Sequence, residues 1–169
     1  HLRVEGKIVK TLVRTFARSY SLCGGKDLPL LEKQKMPDPV RRTKVWMLEH
    51  WPILGNHRLR HHYEERIRDA KERISIVTPY FFPHSWLVKS LKEAEARGVD
   101  IDIILPRDTD PKWGTVANYL NVLRMQSSRI HFYFTKEMIH AKALLIDNNE
   151  GMIGSQNIDA LSFDHNAEI

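Results

Sequence analysis

Residues 74–81 read ISIVTPYF. The run is short and almost continuously apolar, the pattern of a strand covered on both faces. On either side the period changes to that of a helix. Upstream, HRLRHHYEERIRDAKER (57–73) sets Leu59, Tyr63, Ile67 and Ala70 on one helical face. Downstream, Pro83 opens a helix containing Leu87, Leu91 and Ala94, and Gly98 closes it. VDIDIILP (99–106) is the next strand. Asp110 is a good N-cap with Pro111 at the first helical position, and the helix they start carries Val116, Leu120 and Leu123. RIHFYF (129–134) is a third strand. Strand–helix–strand–helix–strand with short links predicts right-handed crossovers and an α/β fold, a mixed, largely parallel β-sheet flanked by helices.

The flanks differ. Ile8, Val9, Leu12, Val13, Phe16, Ala17 and Tyr20 predict a helix over 7–20, with Lys10, Arg14 and Arg18 as a basic stripe. Such a stripe reads as a solvated face, with contact to anionic lipid or a partner as the alternative. Residues 21–44 are punctuated by Gly24, Gly25, Pro29, Pro37 and Pro39 and lack a clean period; we expect a linker or irregular segment over 21–56. Trp46 and Trp51 fall at its end and are expected to pack in a core. At the other end, IHAKALLID (139–147) and MIGSQN (152–157) read as two strands joined by a tight polar turn.

A chain of 169 residues can build one good-sized core. A formal charge of +5 favours anionic partners: nucleic acid, acidic lipid headgroups or phosphorylated substrates. The single Cys23 excludes an intrachain disulfide. No apolar run approaches a membrane span. The chain opens on His1 rather than Met and stops within HNAEI, which reads as a strand in progress, so a piece excised from a longer protein is expected.

The last segment carries the chemistry. Side chains two apart on a strand share a face, so His140 and Lys142 point together, as do Ser155 and Asn157 past the turn. Asp147 has the opposite parity from the first pair and belongs elsewhere. An imidazole that moves a proton or attacks an electrophile, an ammonium and two neutral donors suit a tetrahedral oxyanion, above all phosphate. Glu168 supplies a carboxylate for the other imidazole nitrogen. The neighbouring histidines form no such set. His57 and His61 sit at four-residue spacing without a third ligand, so an exposed helix face is expected there and no metal site. His84 and His131 read as structural.

H-x-K alone is a weak signal, but the full spacing H-x-K-x4-D-x6-G-S-x-N is filled by His140, Lys142, Asp147, Gly154, Ser155 and Asn157. The segment resembles the signature of the phospholipase D superfamily. ISIVTPYFFP, LKEAEARGVDIDIILP and HLRVEGKIVKTLVRTFARSY extend that resemblance to the second half of bacterial cardiolipin synthases and their relatives, across residues 1–20 and 57–169. One departure stands out: relatives often carry Arg-Ser shortly after G-S-x-N, where this chain has Leu161-Ser162.

The resemblance implies a phospholipase D/nuclease-like fold over 57–169 and a site built from two motifs, each from one half of a chain or from one of two identical subunits. One His attacks phosphorus to form a phosphohistidine. The other protonates the leaving alcohol and then activates water or an acceptor alcohol. By resemblance His140 has the acid/base role. Lys142, Ser155 and Asn157 bind phosphate, Glu168 orients His140, and Asp147 and Gly154 are structural. No metal or cofactor is implied.

With one motif present, the chain is expected to be half of a catalytic site. It would need a first half upstream or a homodimer partner. The leading reading is a phosphatidyltransferase of cardiolipin synthase type acting on a phospholipid such as phosphatidylglycerol. The full-length protein would then lie at the cytoplasmic membrane, against an anionic surface, with this fragment soluble. A phosphodiesterase acting on nucleic acid and a non-catalytic phosphate-binding module are the alternatives.

Overall fold

The structure, a computed structural model, describes residues 3–35 and 45–169. Pro37 and Pro39 of the expected linker lie outside the described residues. The chain divides into two units, His1–Glu49 and His50–Ile169.

In the first unit, α1 spans Ile8–Leu22. Glu49 accepts from the Thr15 hydroxyl and from Arg18 at 3.2 Å, so the basic stripe is partly tied down by a carboxylate. A six-residue helix, α2 (Leu28–Lys33), lies inside the segment expected to be irregular. Asp27 caps it through the Leu30 N–H at 3.0 Å, with Pro29 in the first turn, so local capping made a helix where periodicity gave no sign of one. Trp46 is 43% exposed and therefore not a core residue.

The second unit is the expected α/β fold. In order it contains α3 (Arg58–Asp69), β1 (Arg73–Val77), α4 (Ser85–Ala96), β2 (Asp100–Pro106), α5 (Lys112–Met125), β3 (Ile130–Thr135), β4 (Ala143–Ile146), β5 (Glu150–Ile153) and α6 (Ala160–Asp164). The five strands form one mixed sheet in the order β3-β2-β1-β4-β5. β1, β2 and β3 are parallel, and β4 runs against both of its neighbours. Ile74, Ile76, Ile101, Ile103 and Leu105 are fully buried, each worth about 1.5–3 kcal/mol of transfer free energy. Leu59, Tyr63, Ile67 and Ala70 of the α3 region are buried as their spacing predicts. Phe163 of α6 sits edge-on to both Tyr63 and Trp86, which joins α3, α4 and α6. Gly98, at φ +92°, ends α4 in the left-handed region and bonds Glu95 O at 2.8 Å.

α5 departs from expectation. Val116, Leu120 and Leu123 face outward, while Gly114, Asn118, Val122 and Met125 are buried. Hydrogen bonds decide the orientation. The Asn118 side chain accepts from the Phe81 N–H at 2.8 Å and donates to Pro79 O at 3.2 Å, and Asn121 donates to Phe81 O at 2.9 Å. Gly114 permits the close approach: a Cβ there would lie 2.7 Å from Thr109 Oγ1. The helix also starts one residue late, with Pro111 rather than Asp110 at the cap position.

Candidate active site

β1 leads to β2 and β3 on one side, and the chain then returns to lay β4 on the other. The boundary between β1 and β4 is therefore the point where strand order reverses, the usual ligand-binding position at the carboxyl ends of such a sheet. Ala143 pairs with Val77, the last residue of β1, so residues 140–142 lie just past that carboxyl end.

His140 and Lys142 meet there. The Lys142 amine lies 2.9 Å from His140 Nδ1, 3.0 Å from Nε2 and 2.9 Å from the His140 carbonyl oxygen. A neutral imidazole offers one lone pair, so the amine donates to one ring nitrogen at a time. Lys142 is only 7% exposed, whereas the His140 side chain is open. Burial pushes the Lys142 pKa down from its ordinary value, and the carboxylates of Glu168 and Asp159 partly offset that.

Gly154 follows β5 and donates its N–H to Lys142 O at 3.2 Å. A Cβ on it would sit 2.3 Å from Ile169 O, so only glycine allows the 168–169 backbone to pass this closely. Ser155 N–H donates to the same carbonyl at 2.9 Å. The Ser155 hydroxyl donates to the Glu168 carboxylate and accepts from the Ile169 N–H at 3.1 Å. Asn157 is held by its backbone N–H on Ser162 Oγ at 3.2 Å, and its side-chain Oδ1 is buried with no hydrogen-bond partner. Ile158 then bridges to Phe81, with Phe82 N–H on Ile158 O at 2.7 Å. Ser155 and Asn157 thus lie in a loop beyond β5 rather than on a strand, so their placement follows from these contacts and not from strand parity.

One expected partnership is rearranged. Glu168 bonds Ser155 and not His140, because residues 168–169 run directly against the Gly154–Ser155 backbone. Asp147 lies at the far end of β4 from His140 and Lys142, apart from that pair as its parity predicts. There its carboxylate accepts the backbone N–H groups of Lys71, Glu72 and Arg73, the last two at 2.8 and 2.9 Å. Desolvation raises its pKa, but these three bonds outweigh that and hold the carboxyl below its ordinary value.

Sequence reasoning missed three groups. His50 brackets Glu168 with two backbone bonds of 2.9 Å, and its Nε2 lies 2.8 Å from Phe163 O. The two residues are 118 positions apart, which no local pattern reveals. Asp159 caps α6 through the Ser162 N–H at 2.7 Å and acts electrostatically on Lys142; its place two residues past Asn157 was the available signal. His84 was read as unpartnered, yet its Nε2 lies 2.8 Å from Asp164.

Solved structures share this fold. A phospholipase D family member, Nuc from Salmonella typhimurium, superposes with a TM-score of 0.57 at 24% identity, over 72% of this chain and 77% of that one. Phosphatidylserine synthase from Haemophilus influenzae gives 0.54 at 16% identity, over 72% and 32%. At these identities the likeness establishes the fold alone, that of phospholipase D. A family model described as the PLD-like domain of cardiolipin synthase matches residues 63–169, and the chain belongs to that family. A probable cardiolipin synthase of Bacillus subtilis is 29% identical over all of this chain and 34% of its own length. The cardiolipin synthase of Clostridium perfringens is 28% identical over 99% of this chain and 37% of its own. The chain spans about a third of the length of the curated relatives it matches, and the matching region is their C-terminal part.

Proposed function

We propose that this chain supplies the second half of the site of a phosphatidyltransferase of cardiolipin synthase type. The observation that carries the reading is the His140–Lys142 contact at the carboxyl end of β1, with the ammonium buried and bonded to the imidazole and to the His140 carbonyl oxygen. A buried amine in this setting gains from an incoming phosphoryl oxygen, which replaces lost hydration with a charge-assisted bond. Asn157 stands on the loop beyond β5 as a neutral donor, while the Ser155 hydroxyl gives its one hydrogen to Glu168. The family relationship and the resemblance around TPYF and RVEG support lipid over nucleic acid, whereas the motif's spacing serves both.

In the proposed reaction, an imidazole nitrogen from the first motif attacks the phosphorus of phosphatidylglycerol. A P–N bond forms, the P–O bond to glycerol breaks, and His140 gives its proton to the departing oxygen. A hydroxyl of a second phosphatidylglycerol then attacks phosphorus, His140 takes that proton, and the P–N bond breaks. Lys142 and Asn157 hold the non-bridging oxygens throughout, where negative charge concentrates. Asp147 fixes the position of β4 and touches no substrate. Glu168 acts on Lys142 through space and on Ser155 directly. Because one motif supplies one imidazole, the 169-residue chain alone is proposed to lack full turnover.

The test uses the full-length protein on phosphatidylglycerol vesicles and, separately, on single-stranded DNA, with His140→Ala as control. Cardiolipin formation that drops about 10²–10⁴-fold in the variant supports the reading, that being the usual range for losing a general acid. Cleavage of DNA without lipid turnover would replace it with a nuclease, and inactivity on both with a phosphate-binding module.

A further inference from the structure

Apart from Trp113 against Phe82, the outward face of α5 is open among the described residues of its own unit. Trp113, Val116, Leu120 and Leu123 are 65%, 61%, 56% and 69% exposed and recur on one side of the helix. Their side is opposite the one fastened by Asn118 and Asn121. From Trp113 to Leu123 this makes a strip about 15 Å long on a helix of 14 residues. Its only charges are Lys112 at the start and Arg124 near the end, both exposed, and it contains no acidic residue. In the preceding turn Asp108 and Asp110 are offset by Arg107 and Lys112. The apolar surface continues toward the candidate site: Trp113 stacks on Phe82 at 5.9 Å, and Phe82 on Tyr80 at 6.3 Å, just past the carboxyl end of β1.

We infer that α5 lies in the plane of an anionic lipid surface. Its aliphatic strip enters the headgroup–acyl boundary, with Trp113 at the polar edge and Lys112 and Arg124 on lipid phosphates. The arrangement has the parts that interfacial helices use: apolar residues on one face, an aromatic ring at the polar boundary and a cation near each end of a helix that itself carries no acid. Complementary charge, together with continuity from the strip to the phosphate-binding loop, selects a lipid surface over a second protein. The inference rests on the phospholipid reading above and deepens it. A phosphodiester held at Lys142 has acyl chains that must remain in lipid, and the Tyr80–Phe82–Trp113 ledge brings that lipid to the end of β1.

The test measures binding without turnover. The 169-residue chain is sedimented with vesicles of mixed phosphatidylglycerol and phosphatidylcholine, and with phosphatidylcholine alone. The expected result is binding to the mixed vesicles, with a blue shift in tryptophan emission that Trp113→Phe removes. A triple variant, Val116→Ser, Leu120→Ser and Leu123→Ser, should lose binding while keeping the wild-type circular dichroism spectrum. Lys112→Gln with Arg124→Gln should weaken binding to the mixed vesicles about tenfold or more and leave the phosphatidylcholine result unchanged. Wild-type binding by the triple variant would overturn the inference. So would self-association that the triple variant abolishes while vesicle binding persists, which would make the strip a protein interface. Because binding is scored without catalysis, a chain that binds while the full-length enzyme makes no cardiolipin sinks the phosphotransfer reading alone.

Discussion

α4 and α5 are both crossover helices between parallel strands, and both carry an apolar stripe, yet they use it in opposite ways. Leu87, Leu91 and Ala94 of α4 are fully buried. Val116, Leu120 and Leu123 of α5 are in solvent, forgoing roughly 1.5–3 kcal/mol each that complete burial would provide. α4 is held by hydrophobic contact and α5 by asparagine bonds to the Pro79–Phe81 backbone. Apolar periodicity shows that a helix has an apolar face; it does not say which body of the molecule, or of its surroundings, that face meets.

Substitutions can break this contrast in graded steps. Leu91→Ala should cost about 2–5 kcal/mol of unfolding free energy in chemical denaturation, as buried leucine truncations do. Asn118→Ala should cost less, about 1–3 kcal/mol, because it strands the buried Phe81 N–H; a cost near zero would mean that α5 is not held by its amides. The acid limb of stability should fall on the carboxylates held below their ordinary values: Asp147 beyond β4, and Glu95 of α4, which accepts from Ser127 and Lys92. Asp147 has a lowered pKa in the fold, so its contribution is complete above the ordinary carboxylate value of about 3.9 and is lost as pH falls through the folded value. Asp147→Asn should therefore flatten the loss of melting temperature on acidification, while Asn118→Ala leaves that slope unchanged. Leu120→Ala should be the mildest, within about 0.5 kcal/mol, since its side chain is already in solvent. A cost comparable to Leu91→Ala would show that the α5 strip is buried in the folded chain.

The same contrast explains what was legible in the sequence. α4 was readable because Leu87, Leu91 and Ala94 form one stripe and Gly98 stops it. α5 offers two stripes at helical spacing. The buried one contains Gly114 and Asn118, whose value lies in contacts with Thr109, Pro79 and Phe81 that no local window displays. His140 and Lys142 meet as their spacing suggested, but β4 begins only at Ala143, so the contact is made ahead of the strand, by the Lys142 amine reaching the ring and carbonyl of His140, and strand parity does not account for it. The partner of Glu168 was not readable, because residues 168–169 return against Gly154 and Ser155 and bring the hydroxyl nearer than the ring. The bracket from His50 depends on a pairing across most of the chain and left no trace in composition or period.

Pro79–Phe82 is fastened on two sides. Asn118 and Asn121 of α5 bind its backbone at Pro79 and Phe81, and the next residue, Phe82, binds Ile158, the residue after Asn157. This makes the segment a splice between a helix and a loop that are otherwise remote in sequence. A pull along α5 reaches the carbonyl of Ile158, the residue after Asn157, through hydrogen bonds and one peptide link, so neither end can slide without straining the other.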